Sequence, residues 1–236
     1  GGRVQRFAGP TWRDWAPPLD FVQAAGDDAP RAMYLRYRLI AHELMSMTID
    51  SNCAPMVDLV VNQTHAFLKN RCYGTDPTAI SEIGRAVADG HLDGGVLPVL
   101  KHIPGHGRTD LDSHYDLPHV HESLDTLRET DFVPFRELND LPMGMTAHVV
   151  YANIDEAPAT LSPDMMRLIR KDIGFDGLIM TDDIGMKALS GSLTRITERA
   201  LAAGCDVILH CNAPLSDRIE TANAAGQMTE QAQTRA

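Results

Sequence analysis

A chain of 236 residues with 44% apolar but only 6% aromatic side chains can bury one sizeable core, built mostly from aliphatic residues and Met. Its 32 acidic against 21 basic side chains leave a formal charge of -11, which argues against nucleic acid or an anionic membrane surface as partner and favours a soluble protein. No apolar run approaches the ~18–20 residues needed to span a bilayer.

In chain order, the spacing of Tyr34, Tyr37, Ile40, Ala41 and Leu44 predicts a first helix over 31–47. A strand over 47–59 follows. Asp76 as N-cap and Pro77 at the first helical position open a second helix, 76–90. A strand over 94–103 then runs into "PGHGRTDLDSH", where Pro104, Gly105 and Gly107 rule out continued helix or strand. The segment "ESLDTLRE" reads as a short helix. Strands over 143–151, 176–184 and 205–212 alternate with helices opened by Ser162-Pro163 and closed by Gly174 and Gly204. The tail from Ala213 reads as a final helix pair. Nearly continuous apolar strands alternating with helices, every 30–45 residues or about that, imply an α/β fold with a parallel sheet and right-handed crossovers. No charge run or low-complexity segment divides the series, so residues 1–236 read as a single domain.

The strand ends are polar. Lys101-His102, Ala147-His148, Thr181-Asp182-Asp183 and His210-Cys211-Asn212 each close or follow an apolar run, and in parallel α/β folds those carboxyl ends converge on the ligand site. A carboxylate such as Asp182 in that position can serve as nucleophile, general base or metal ligand. Asp183 is also a credible helix N-cap. Five of the ten histidines fall between His102 and His121. In "Asp-Ser-His", Asp112 can reach one ring nitrogen of His114, which would make the other a proton shuttle; an Asx-turn beside a solvated imidazole is the plainer reading. Metal ligation by His102 and His106, or by His119 and His121, is weaker. Ligands four apart need a helix that Pro104-Gly105 forbids, and His119 and His121 look set to enter a helix rather than to end a strand. Cys53, Cys72, Cys205 and Cys211 lack CxxC spacing and read as buried free thiols of a reducing compartment.

The strings "KHIPGHG…DSH", "MTAHVVY", "FDGLIMTDDIGM" and "AGCDVILHCN" resemble the family 3 glycoside hydrolases, specifically the bacterial β-N-acetylhexosaminidase branch that recycles peptidoglycan fragments. The opening "GGRVQRF" looks like the tail of that branch's "DQEGGRVQRF". The resemblance implies a (β/α)8 TIM-type barrel. Only about five strands are counted, so two or three β/α units, N-terminal ones, are lacking here; a barrel so incomplete is expected to fold poorly or to show no turnover. It implies Asp182 as nucleophile and His114, oriented by Asp112, as general acid/base on a glycine-hinged lid. Lys101, His102 and Arg71 would bind sugar hydroxyls. No cofactor or metal is implied. The expected substrate is a small N-acetylglucosamine-containing muropeptide or disaccharide, and the expected location is cytoplasmic, although a chain that opens without Met leaves a removed signal peptide open. The rivals are a glycoside phosphorylase sharing the covalent intermediate, a metal-dependent barrel hydrolase and a non-catalytic sugar-binding module.

Overall fold

A computed structural model describes residues 5–109, 111 and 116–236. Among them, helix α1 (Pro18–Ala25) leads into α2 (Ala29–Ser46), and strand β1 (Ser51–Asn52) is followed by α3 (Ala66–Lys69) and α4 (Pro77–Leu92). Strand β2 (Leu97–Ile103), β3 (His119–Val120), α5 (Leu124–Glu129) and α6 (Val133–Glu137) come next. Then β4 (Met143–Thr146), β5 (Val150–Tyr151), α7 (Pro163–Leu168), β6 (Leu178–Met180), α8 (Leu193–Ala203), α9 (Leu215–Ala225) and α10 (Glu230–Arg235) complete the series.

The main sheet has the order β1-β2-β4-β6 and every pairing in it is parallel. Sequential strands are therefore sheet neighbours with helical crossovers between them, the α/β arrangement expected. The described strands form this open sheet and a two-stranded parallel pair, β3-β5, rather than a closed ring.

The helix punctuation acts as read. Asp76 accepts a hydrogen bond from Ala79 N at 2.8 Å and Ser162 accepts one from Met165 N at 3.0 Å, each cap worth ~1 kcal/mol. Gly174 and Gly204 close their helices in the left-handed region. Helix α2 departs from the simple apolar stripe, because Arg36 is buried beside Tyr37 and stacks over Trp15, Phe21 and Tyr37.

The strands are shorter than their apolar runs. Of the 47–59 run, residues 47–49 close the end of α2 and residues 50–57 lie along β2, where the partners to Val99 N and Lys101 N are the carbonyls of Ala54 and Pro55, and Pro55 returns no N–H, so the ladder is interrupted. The 143–151 run splits: β4 stays in the main sheet while β5 leaves it to pair with β3. The 205–212 run touches the sheet through one bridge, Met180 to Val207, because the Thr181 hydroxyl takes Leu209 N at 2.9 Å and displaces the next ladder bond. His119 corrects the expectation of a helical entry: it begins a strand, and the helix starts only after the Ser123 cap.

One continuous core of Ile, Leu, Val, Met and Phe side chains fills the space between the sheet and α2, α4, α6, α7 and α8. Among the described residues no helix is long and apolar enough to cross a membrane. All four cysteines are free, but only Cys72 and Cys205 are buried; Cys53 and Cys211 are exposed at strand ends, contrary to the expectation for that pair.

Candidate functional site

The carboxyl ends of the parallel strands open onto a cleft of about 560 Å³, whose walls include Arg71, Lys101, His102, His106, Asp182 and Asp183. These six residues, drawn from two strand-end motifs and two loops, thus share a single cavity, as the topology of parallel sheets favours. Asp112 and His114 lie outside the described residues. His210, singled out with its strand-end neighbours, points away and meets the Thr221 hydroxyl of α9 at 3.0 Å.

Asp182 and Asp183 divide the work that two adjacent carboxylates can do. Asp182 keeps 18% of its side chain open to solvent, and its Oδ1 accepts Asp183 N at 2.8 Å. Asp183 turns back to brace the backbone, its Oδ1 accepting Gly185 N and Cys211 N, each at 3.0 Å. Burial disfavours the charge on Asp182, but His102, His148, the Asp183 N–H and Lys101 outweigh it and hold the carboxyl at about 2. A carboxylate kept ionised, unprotonated and facing a cavity is equipped to attack an electrophile. Burial, and then the neighbouring Arg71, lower the pKa of Lys101, while Cys53, Asp182 and Asp58 act in the opposite direction.

Sequence reasoning missed Asp58. It is wholly buried, at 0% exposure, and its Oδ2 takes His102 Nδ1 at 2.7 Å while Oδ1 accepts His102 N at 3.3 Å and His106 N at 2.7 Å. Burial opposes its ionisation, yet His102 and His106 hold its pKa below the usual carboxylate value. A carboxylate can only accept, so Nδ1 of His102 carries the proton and Nε2 is the atom presented to the cleft, 3.9 Å from Asp182 Oδ2. The signal was available: Asp58 is a carboxylate near the end of the apolar 47–59 run. The two histidines are also brought together without a helix, their rings 5.5 Å apart, by the turn at Pro104-Gly105. That corrects the spacing argument against the pair. They share one carboxylate, and no cluster of three or more metal-ligating side chains occurs among the described residues.

Asn at position 58 would offer one oxygen where three donors now find two, and its amide would face another donor. A buried donor left unpaired costs about 1–3 kcal/mol, and a chain of this size loses about 2–4 °C in Tm per kcal/mol. Asp58→Asn is therefore expected to lower the thermal midpoint by roughly 3–10 °C. An unchanged midpoint in a melting experiment would remove Asp58 from the framework of the site.

The stem of the glycine-rich loop is anchored by hydrogen bonds. Tyr151 donates to Gly105 O, the Thr64 hydroxyl donates to Gly107 O at 2.6 Å, and His65 N donates to Thr109 O at 3.0 Å. Arg108 is tied to Asp131 at 2.6 Å, Glu122 at 3.1 Å and Thr130 at 3.0 Å. Gly105 adopts φ +140, and a Cβ on Gly107 would stand 1.8 Å from Leu59 O. The two glycines are needed for backbone conformation and close approach, so residues 104–109 form a fixed base.

Comparison with known proteins agrees with these motifs. The family described as Glycosyl hydrolase family 3 N terminal domain matches residues 1–236. A Beta-hexosaminidase of Chromobacterium violaceum is 38% identical over 223 residues, which are 91% of this chain and 62% of that protein. The chain thus spans less than two thirds of the length of this relative. The β-N-acetylglucosaminidase of Paenibacillus sp. str. FPU-7, a family 3 glycoside hydrolase, superposes with a TM-score of 0.89 at 30% identity, over 100% of this chain and 46% of its own. NagZ of Neisseria gonorrhoeae in complex with N-trifluoroacetyl-D-glucosamine superposes with a TM-score of 0.88 at 31% identity, over 100% of this chain and 70% of its own.

Proposed function

This chain belongs to glycosyl hydrolase family 3, and from that membership we propose that the protein is a retaining β-N-acetylhexosaminidase that releases terminal β-linked N-acetylglucosamine. The observation that carries the reading is Asp182: a carboxylate held at about 2, at the carboxyl end of β6, open to a cleft that Lys101, His102 and Arg71 also line. The relatives named above supply the sugar, one a Beta-hexosaminidase and one bound to an N-acylated glucosamine analogue. In this reading residues 1–236 are one catalytic domain of the (β/α)8 type. The substrates are muropeptide or disaccharide fragments of peptidoglycan, and four free cysteines suit a reducing, cytoplasmic setting.

The chemistry has two steps. Asp182 attacks the anomeric carbon, the glycosidic C–O bond breaks, and His114, oriented by Asp112, gives its proton to the departing oxygen. A glycosyl ester on Asp182 results. His114, now neutral, takes a proton from water, whose oxygen attacks the same carbon and returns Asp182 as carboxylate with configuration retained. Lys101, His102 through Nε2, and Arg71 hold the sugar hydroxyls in place. No step is assigned to a metal.

The test is turnover of an aryl β-N-acetylglucosaminide by the full-length protein, with a fluorinated N-acetylglucosaminyl donor used to trap the ester. The expected result is a single labelled peptide containing Asp182, and activity that survives chelation. A label elsewhere reassigns the nucleophile, and activity abolished by chelator and restored by a divalent metal favours the metal-dependent hydrolase. A glycosyl phosphate product formed when phosphate is added identifies a phosphorylase, which a histidine acid/base would tolerate because it does not repel phosphate as a carboxylate would.

A further inference from the structure

His148, the strand-end histidine two residues beyond β4, has no part in the two steps above. It is fully buried, at 0% exposure, behind the Thr181-Asp182-Asp183 turn. Its Nε2 lies 3.1 Å from the main-chain oxygen of Asp183, and its Nδ1 lies 2.7 Å from Thr160 Oγ1. A carbonyl oxygen can only accept, so the contact to Asp183 requires the proton on Nε2. Nδ1 then accepts from the Thr160 hydroxyl, whose one proton it takes in preference to the longer 3.1 Å contact with Ala147 O, and that hydroxyl is itself 2.8 Å from the Thr146 hydroxyl and can accept from it. The opposite tautomer would set the Nε2 lone pair against a carbonyl lone pair in a dry interior.

We infer that His148 is a positioning residue for the nucleophile, holding the Asp183 carbonyl through Nε2–H so that the Asp183 N–H can orient Asp182. With this bond in place residue 183 is held at three points: its carbonyl by His148 and by Met186 N, its Oδ1 by Gly185 N and Cys211 N, and its N–H by Asp182 Oδ1. The charged or titratable groups facing the imidazole are Asp182, Asp183 and His102. Burial lowers its pKa in spite of the two acids, which favours the neutral ring. A neutral donor suits the task. Asp182 alternates between carboxylate and ester during turnover, and an uncharged Nε2–H holds the turn equally in both states. The inference rests on Asp182 being the nucleophile of the proposed glycosidase.

Two measurements on the full-length protein test it. In a histidine side-chain nitrogen–proton correlation spectrum, one imidazole should show the Nε2–H tautomer and titrate below the ordinary 6.5, and that signal should vanish in His148→Gln. An Nδ1–H tautomer, or titration at the ordinary value, overturns the inference whatever the turnover. In kinetics, misplacing a reacting group by about 1 Å costs about 10²-fold. His148→Ala should lose kcat on that scale, equally for good and poor leaving groups, with KM within about threefold of wild type. Gln places an amide N–H near the position of Nε2 and should restore kcat to within about tenfold. A His148→Ala kcat within about threefold of wild type, or a folded Gln variant no better than Ala, overturns the inference. Wild-type protein with the Nε2–H signal and no turnover instead sinks the glycosidase reading, and the catalytic part of this inference with it.

Discussion

Asp182→Ala is expected to lower kcat by about 10³-fold or more on every β-N-acetylglucosaminide, with good and poor leaving groups affected alike. The size follows from chemistry: without the carboxylate no ester forms, and the reaction would need direct attack by water on the anomeric carbon. The fold should survive, because the side chain of Asp182 accepts a single main-chain hydrogen bond, from the residue beside it, and a partly open carboxylate among cations is not a packing element. The contrast with Asp183 sharpens the test. Asp183 ties two segments together through Gly185 N and Cys211 N, so Asp183→Ala should lower the melting temperature as well as the rate. Kinetics and thermal melts of both variants decide the matter. A loss below about tenfold for Asp182→Ala assigns the nucleophile to another residue.

His114→Ala is expected to be selective where Asp182→Ala is not. General acid/base assistance is worth ~10²–10⁴-fold, so an alkyl or sugar aglycone, which cannot leave as an anion, should lose that much. A nitrophenyl-type aglycone departs with little protonation, so its first step should be largely spared. Asp112→Asn should show a milder version, since it misorients the imidazole without removing it. The pH profile adds a check that the geometry now permits. Asp182 is held at about 2, so its ionisation is complete at pH values where an imidazole is still charged, and an acidic limb above about pH 4 cannot be its own. Any such limb belongs to another group, and if it is a histidine at position 114 it should vanish in His114→Ala. Equal slowing of natural and activated substrates would make His114 a binding or bracing residue.

Much of the architecture was legible because parallel α/β proteins write their organisation locally. Asp76, Ser162, Gly174 and Gly204 mark helix ends by backbone chemistry that needs no tertiary context, and the apolar runs mark what lies in the sheet. The extent of hydrogen bonding in that sheet was not legible. Whether Pro55 or the Thr181 hydroxyl interrupts a ladder depends on which neighbour faces it, and that is settled only when the strands pair. The site shows the same division. Asp182, Lys101 and His102 stand out as charges at the ends of apolar runs. Asp58 obeys the same rule but serves residues 44 and 48 positions away through its two oxygens, and no local pattern discloses a partner at that separation. His106 is a related case: helical spacing says nothing of the tight turn that brings its main-chain N–H onto the acid that holds the His102 imidazole, while its own ring meets the Thr109 hydroxyl.

The close approach of Gly107 to Leu59 sets a rule for anyone who would exchange or diversify the histidine-bearing loop. Leu59 follows Asp58 directly, and its carbonyl occupies the place where a side chain at 107 would begin. One added methyl would thus press on the neighbour of the acid that seats His102 and His106, and a lesion introduced to tune the proton donor would be read out as weakened sugar binding. Grafts taken from relatives, or libraries built by randomisation, should therefore keep Ile103 to Thr109 together with the Leu59 and Thr64 face as one inherited block, and place their first junction after Thr109.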